Sequence, residues 1–193
     1  EGRPARACGA TPAGPTIAAM RTLAGLLLLY VVSHGTPAAA QVQEASANHF
    51  VIERSVMLDA DAETVWSAFS KIGDWWHPDH TYTMDAGNLS LKAAPGGCFC
   101  EALPSGGFVE HMAVVYADPG VMVRMSGGLG PLQEHAVSGA MTWSFSAEGS
   151  GTRLSLVYRV NGFVPGGLEG WAGPVDGVLE QQLTRLQDLL ASS

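Results

Sequence analysis

Positive charge is scarce in this chain: Lys and Arg number 10 against 18 Asp and Glu, a formal net charge of -8. A surface with that balance repels phosphate backbones and anionic membranes, which excludes nucleic acid as a partner. Zinc-finger spacing, a P-loop and a G-x-G-x-x-G in a strand-to-helix context are all missing, so nucleotide chemistry has no foothold. Cysteine is nearly absent, at 3 residues, and none directly follows the N-terminal apolar run, so a lipid-modified terminus is not indicated. No Ser-His-Asp order or cysteine-nucleophile context is present to signal catalysis. Charged residues are only 15% of the chain and hydrophobic ones 47%, so a full core can form and wholesale disorder is excluded.

The N-terminal region reads as an address. Residues 1–19 are rich in Ala, Gly and Pro without periodicity and stand outside the fold. Met20-Arg21 opens an apolar run, Leu23 to Val32, and Ala38-Ala39-Ala40 follows it. The run is short of the roughly 20 residues that span a bilayer. A basic start, a short apolar stretch and an A-x-A site make residues 20–40 a signal peptide cleaved near Ala40, with a periplasmic or secreted product starting at Gln41. Removing residues 1–40 takes away Arg3, Arg6, Arg21 and Glu1. Residues 41–48 are small and polar and read as a flexible leader.

Gly at 24 and Pro at 11 punctuate what remains and favour a sheet-rich domain. His49 to Leu58 alternates as a first strand, with Ile52, Val56 and Leu58 on one side. Asp59 to Glu63 supplies a cap and an acidic first turn for a helix over Glu63 to Phe69, and Ser70 to Trp76 reads as a second short helix. The period then changes to two. Strands are predicted over Tyr82 to Asp85, Asn88 to Lys92, Cys98 to Leu103, Phe108 to Tyr116, Val121 to Ser126, Gly139 to Ala147 and Thr152 to Val160. Last comes Pro174 to Leu190, whose Val175, Val178, Leu179, Leu183, Leu186, Leu189 and Leu190 recur at helical steps, with Gln182 inside the stripe. The simplest way to bury both apolar surfaces is an α+β helix-grip fold: a curved antiparallel sheet wrapped around the long C-terminal helix, with two short helices after the first strand.

The opening Ile52-Glu53-Arg54-Ser55-Val56, then Ala62-Glu63-Thr64-Val65-Trp66, the Trp75-Trp76 pair, Gly96-Gly97, Glu110-His111-Met112, Gly130-Pro131-Leu132 and Pro174 to Leu179 resemble the START-like, Bet v 1-like superfamily, SRPBCC. The likeness runs over residues 49–191 and lies nearest the polyketide cyclase/dehydrase and Aha1-like branches. It implies a hydrophobic cavity without naming a ligand. The Aha1-like role requires cytosolic Hsp90, so for an exported chain no Hsp90 partner is expected.

Pro104 to Gly107 reads as a hairpin turn. Pairing Leu103 with Phe108 sets Cys100 opposite His111, Cys98 opposite Ala113 and Glu101 opposite Glu110. Both cysteines and the histidine then share one face, where metal or redox chemistry competes with plain packing of small thiols. Packing and free thiols are expected, since same-face neighbours on a strand sit roughly 6.5–7 Å apart, at the limit for bridging. The opposed carboxylates could shift a pKa, and Glu110 beside His111 is the candidate acid/base pair. His77-Pro78-Asp79-His80 reads as a solvated loop. Two Gly-rich stretches with apolar tips, Ser126 to Ala136 and Gly162 to Gly173, suit mobile rims around a pocket mouth.

These readings converge on an exported binding protein holding a small lipid-like or aromatic molecule between the last helix and the sheet. Trp75, His111, Trp143, Tyr158 and Gln182 are the expected ligand-facing residues, with no cofactor and no metal. A cyclase/dehydrase-like enzyme using Glu110 and His111, and a ligand-free envelope interaction domain, are the alternatives.

Overall fold

Alternation of apolar and polar residues sets the sheet. In Ala136–Glu148 (β7) Met141, Trp143 and Phe145 are buried, and in Gly151–Phe163 (β8) Leu154, Leu156, Tyr158 and Val160 are buried. The two pair antiparallel from Ala136↔Phe163 to Glu148↔Gly151, so both strands present their large side chains to one face. In this computed structural model residues 41–192 are described; the upstream segment and the signal-peptide reading lie outside them. The remaining strands are Gln41–Ser46 (β1), His49–Leu58 (β2), Leu89–Leu91 (β3), Cys98–Ala102 (β4), Phe108–Asp118 (β5) and Met122–Ser126 (β6). They form one eight-stranded antiparallel sheet in the order β1-β2-β8-β7-β6-β5-β4-β3.

Helix α1, Ala62–Ser70, starts where the Asp61 carboxylate accepts from the Thr64 N–H at 2.8 Å, satisfying one of the donors a helix start leaves open. Its Phe69 sits among Trp66, Trp75, Trp143 and Phe145, with ring centroids 5.2–6.0 Å away. Helix α2, Glu169–Ala191, lies across the concave face and buries Ala172, Leu179, Leu183 and Leu186. The strand that wraps and the helix that is wrapped thus agree with the helix-grip reading.

Four local expectations are corrected. Residues 41–46 are not a free leader: β1 pairs with β2 from Gln41↔Glu53 to Ser46↔His49. An edge strand held by backbone hydrogen bonds needs no apolar alternation, so QVQEAS showed none. Tyr82 to Asp85 is not a strand, because two of its N–H groups are taken by a carboxylate instead of a neighbouring strand. Helix α2 begins at Glu169, with Pro174 inside it; proline is favoured at a helix start, which misplaced the boundary. The second short helix shrinks to a 3₁₀ turn, Ile72–Asp74.

The β4–β5 hairpin is a fifth correction. Its turn pairs Ala102 with Phe108, so Glu101 stands opposite Val109 and Cys100 opposite Glu110; past a register shift, Phe99 faces Met112 and Cys98 faces Ala113 as expected. His111 is the extra residue of a bulge in β5, and both His111 and Met112 point inward. The shared face of cysteines and histidine therefore does not exist. Cys98 and Cys100 lie on the other side of β4 from buried Phe99 and Glu101, and they are joined in a disulfide with a Cα–Cα distance of 5.4 Å. Free thiols were expected from regular strand spacing; β4 is contracted there, and that brings the pair within reach.

Candidate functional site

Helix α2 fixes one wall of the site by gripping the chain after α1. Arg185 Nε donates to the Trp75 carbonyl at 2.8 Å, Gln182 Oε1 accepts from the His77 N–H at 2.7 Å, and Gln181 Oε1 meets His80 Nε2 at 2.8 Å. Trp76 Nε1 donates to the His80 carbonyl at 3.1 Å. The segment so held delivers two backbone donors, the N–H groups of Tyr82 and Thr83, to the Glu101 carboxylate at 3.0 and 2.7 Å. His111 Nε2 lies 3.0 Å from Glu101 Oε2.

Both members of this pair are buried: Glu101 is 0% exposed and His111 3%. Burial pushes the Glu101 carboxyl upward, but hydrogen bonds from Tyr82, Thr83 and His111 outweigh it and hold the group below its ordinary range. Burial lowers His111 against the opposing pull of Glu101, and the net effect is downward. The pair is thus a carboxylate beside a neutral imidazole at neutral pH. A carboxylate only accepts, so the imidazole proton must sit on Nε2. Nδ1 is left with its lone pair, buried and without a hydrogen-bond partner among the described residues. The ring is stacked on Phe99 at 4.7 Å and 28°, with Tyr82 5.9 Å away.

His111 lines a cavity of about 260 Å³. Trp76, Thr81 and Tyr82 form one side of it, Leu129 and Pro131 another, and Val175 and Val178 of α2 a third. Pockets for drug-sized ligands run to roughly 300–1,000 Å³, so this one suits a molecule of one or two rings. A buried acceptor in an apolar wall asks for a donor, because leaving it unpaired costs about 1–3 kcal/mol.

Of the five residues expected to face a ligand, His111 lines this cavity and the other four serve the frame. Trp75 is buried in the aromatic cluster and donates from Nε1 to the Phe69 carbonyl at 3.1 Å; Trp143 packs in the same cluster. Gln182 spends both ends on backbone, accepting from His77 and donating to the Val178 carbonyl. Tyr158 is 0% exposed. Its hydroxyl donates to the Gly127 carbonyl at 3.2 Å and accepts from the Leu129 N–H at 3.0 Å, and burial pushes its pKa up to about 12. It holds the 127–131 rim from beneath. Gly139 permits that, since a Cβ there would come within 2.7 Å of the Tyr158 ring.

The Glu110–His111 pair is also corrected: Glu110 is exposed on the far face beside the disulfide, and the carboxylate that meets His111 is Glu101. Alternation could have found it, because Phe99 and Glu101 share one face of β4. The 77–80 loop is engaged rather than freely solvated, with Asp79 and His80 at the cavity wall. Of the two Gly-rich stretches, the first supplies Leu129, Gly130 and Pro131 to the lining. In the second, Val164 and Leu168 are buried while Phe163 is exposed, and the Leu168 N–H donates to the Ala47 carbonyl at 2.9 Å. Among the described residues, Cys98, Cys100 and Glu110 have metal-type donor atoms within 4.8 Å of one another, but both sulfurs are committed to the disulfide.

Residues 49–191 match the family described as "Polyketide cyclase / dehydrase and lipid transport". No protein among those with curated descriptions is similar in sequence. Solved structures share the fold. An uncharacterised protein from Rhizobium leguminosarum is 21% identical with a TM-score of 0.53, covering 78% of this chain and 99% of its own. Protein MLL2253 from Mesorhizobium loti is 19% identical with a TM-score of 0.54, covering 74% and 98%. CalU16 from Micromonospora echinospora is 18% identical with a TM-score of 0.52, covering 81% and 84%.

Proposed function

Since this chain belongs to the polyketide cyclase/dehydrase and lipid transport family, a kind of hydrophobic-ligand-binding SRPBCC domain, we propose that it binds a small aromatic or lipid-like molecule carrying one hydroxyl. The single observation behind this reading is the unpaired, buried Nδ1 of His111, a residue that lines the 260 Å³ cavity. A hydroxyl donating to Nδ1 satisfies that atom, and the rings of Trp76 and Tyr82 with Val175 and Val178 cover the rest.

Titration with 2-naphthol and with 2-methylnaphthalene tests it. A neutral hydrogen bond is worth about 0.5–1.5 kcal/mol, so the naphthol is expected to bind roughly threefold to tenfold more tightly. His111→Phe should erase the difference while leaving 2-methylnaphthalene bound. Equal affinities of the wild-type protein for the two probes would defeat the reading.

A cyclase/dehydrase-like activity is the second reading, favoured by the same geometry. A carboxylate that fixes the Nε2 proton leaves the Nδ1 lone pair of His111, a residue of the cavity lining, available as a base. Wild-type protein would then speed deuterium exchange at C1 of 2-tetralone in heavy water, and His111→Phe would not. A rate equal to that of buffer would remove it.

Export is part of the proposal, on the strength of the apolar run and Ala38-Ala39-Ala40. N-terminal sequencing of protein recovered from its host should begin at Gln41; a start within residues 1–30 would contradict it.

A further inference from the structure

The disulfide and the cavity meet at one place in the sheet. Cys98 and Cys100 flank Phe99, whose ring packs on His111 at 4.7 Å and on Trp76 at 5.0 Å. Directly across from them, β5 carries His111 as its extra residue. β4 is short at this point, 5.4 Å between Cα atoms two residues apart, where a regular strand gives roughly 6.5–7 Å. A contracted strand opposite a bulged one is a matched pair: the bulge re-aims His111 inward beside Glu101, and the disulfide keeps the partner strand short enough to accept it.

As a staple the bridge does little. The stabilisation a disulfide gives through chain entropy grows with the loop it closes, and this loop, Cys98 to Cys100, is nearly minimal and already lies within a strand paired on both sides. The two cysteines are half-buried residues on the outer face next to exposed Glu110.

We infer that Cys98–Cys100 is a reducible site whose state sets the pose of His111 in the cavity; its effect on ligand rests on the proposed function above. The chemical partner is a dithiol. One thiolate of the dithiol attacks one cysteine sulfur, forming a mixed disulfide and releasing the other cysteine as a thiolate; the second thiolate then closes onto the dithiol's own sulfur in the mixed disulfide and releases the first cysteine. Two electrons and two protons pass to the pair, which becomes two thiols, and the reductant leaves as a cyclic disulfide. Released, β4 extends toward regular spacing, the bulge loses its matching contraction, and the Glu101–His111 contact loosens.

The test uses the full chain with and without dithiothreitol. The free thiol count should rise by two, the ¹⁵N resonances of the His111 imidazole should move, and 2-naphthol affinity should fall about threefold to tenfold. Cys98→Ser/Cys100→Ser should resemble the reduced protein and ignore the reductant; should that variant not fold, the wild-type comparison decides alone. Two new thiols with unmoved His111 resonances would overturn the inference, as would a bridge that survives dithiothreitol in the folded protein. Resonances that move in a protein that binds 2-naphthol in neither state would support the inference and overturn the ligand reading.

Discussion

Glu101→Ala is expected to destabilise the fold by about 2–5 kcal/mol, because three donors lose their acceptor at once and each buried unpaired group costs about 1–3 kcal/mol. The Tyr82 and Thr83 N–H groups and His111 Nε2 all end on this carboxylate, and the residue is 0% exposed. Water reaching the part-buried backbone donors keeps the sum below three full penalties. Thermal unfolding should show a drop of roughly 5–20 °C for a domain of this size. Glu101→Gln, which keeps an acceptor, should lose less; equal stability of Glu101→Ala and wild type would refute the account. The same pair fixes the pH response. His111 sits below its ordinary 6.5 and Glu101 below its ordinary 4.5, so in both cases the unfolded chain takes up the proton first. The stability each contributes is complete above its unfolded value and is lost as pH falls toward the folded one. Unfolding midpoints should therefore decline below pH 6.5 and again below pH 4.5, and His111→Phe should flatten the first decline.

Asp176→Ala should cost about 3–5 kcal/mol, the range for removing one partner of a buried ion pair. Arg54 on β2 and Asp176 on α2 are each 8% exposed, and Arg54 Nε lies 2.6 Å from Asp176 Oδ1. The second acid, Glu180, is 3.3 Å from the guanidinium but its side chain is 55% exposed, so it replaces little of what Asp176 supplies. The penalty comes from a guanidinium left in the interior, not from the worth of the pair. Accordingly Arg54→Met/Asp176→Leu should recover most of the loss, measured by urea unfolding. A double variant as unstable as Asp176→Ala would show that the ion pair itself, and not its uncompensated half, carries the stability.

Arg54 and Asp176 also show how much of this frame could be read in advance. Arg54 has the inward parity of Phe50, Ile52 and Leu58, and Asp176 falls among the buried positions of α2 with Ala172 and Leu179. A positive and a negative charge, each on the apolar face of its own element, were a legible sign of a pair across the core. Glu101, alternating with Phe99, gave the same sign on β4. Gln182, a polar amide within an apolar stripe, must find a partner, and it does so on the His77 N–H.

Composition and periodicity determined the helix-grip architecture and the antiparallel run of strands, since burial of apolar surface acts on every residue of a face and leaves a repeating mark; the cavity was what the family resemblance implied. Tertiary structure alone decided that His111 meets Glu101 instead of Glu110, that Cys98 and Cys100 are bridged, and that four of the five expected ligand contacts belong to the frame. All three follow from one extra residue in β5 and from side chains meeting across the fold. A one-residue change of register moves side chains between faces, and although alternation marks Glu101 on β4, no local pattern records the bulge in β5.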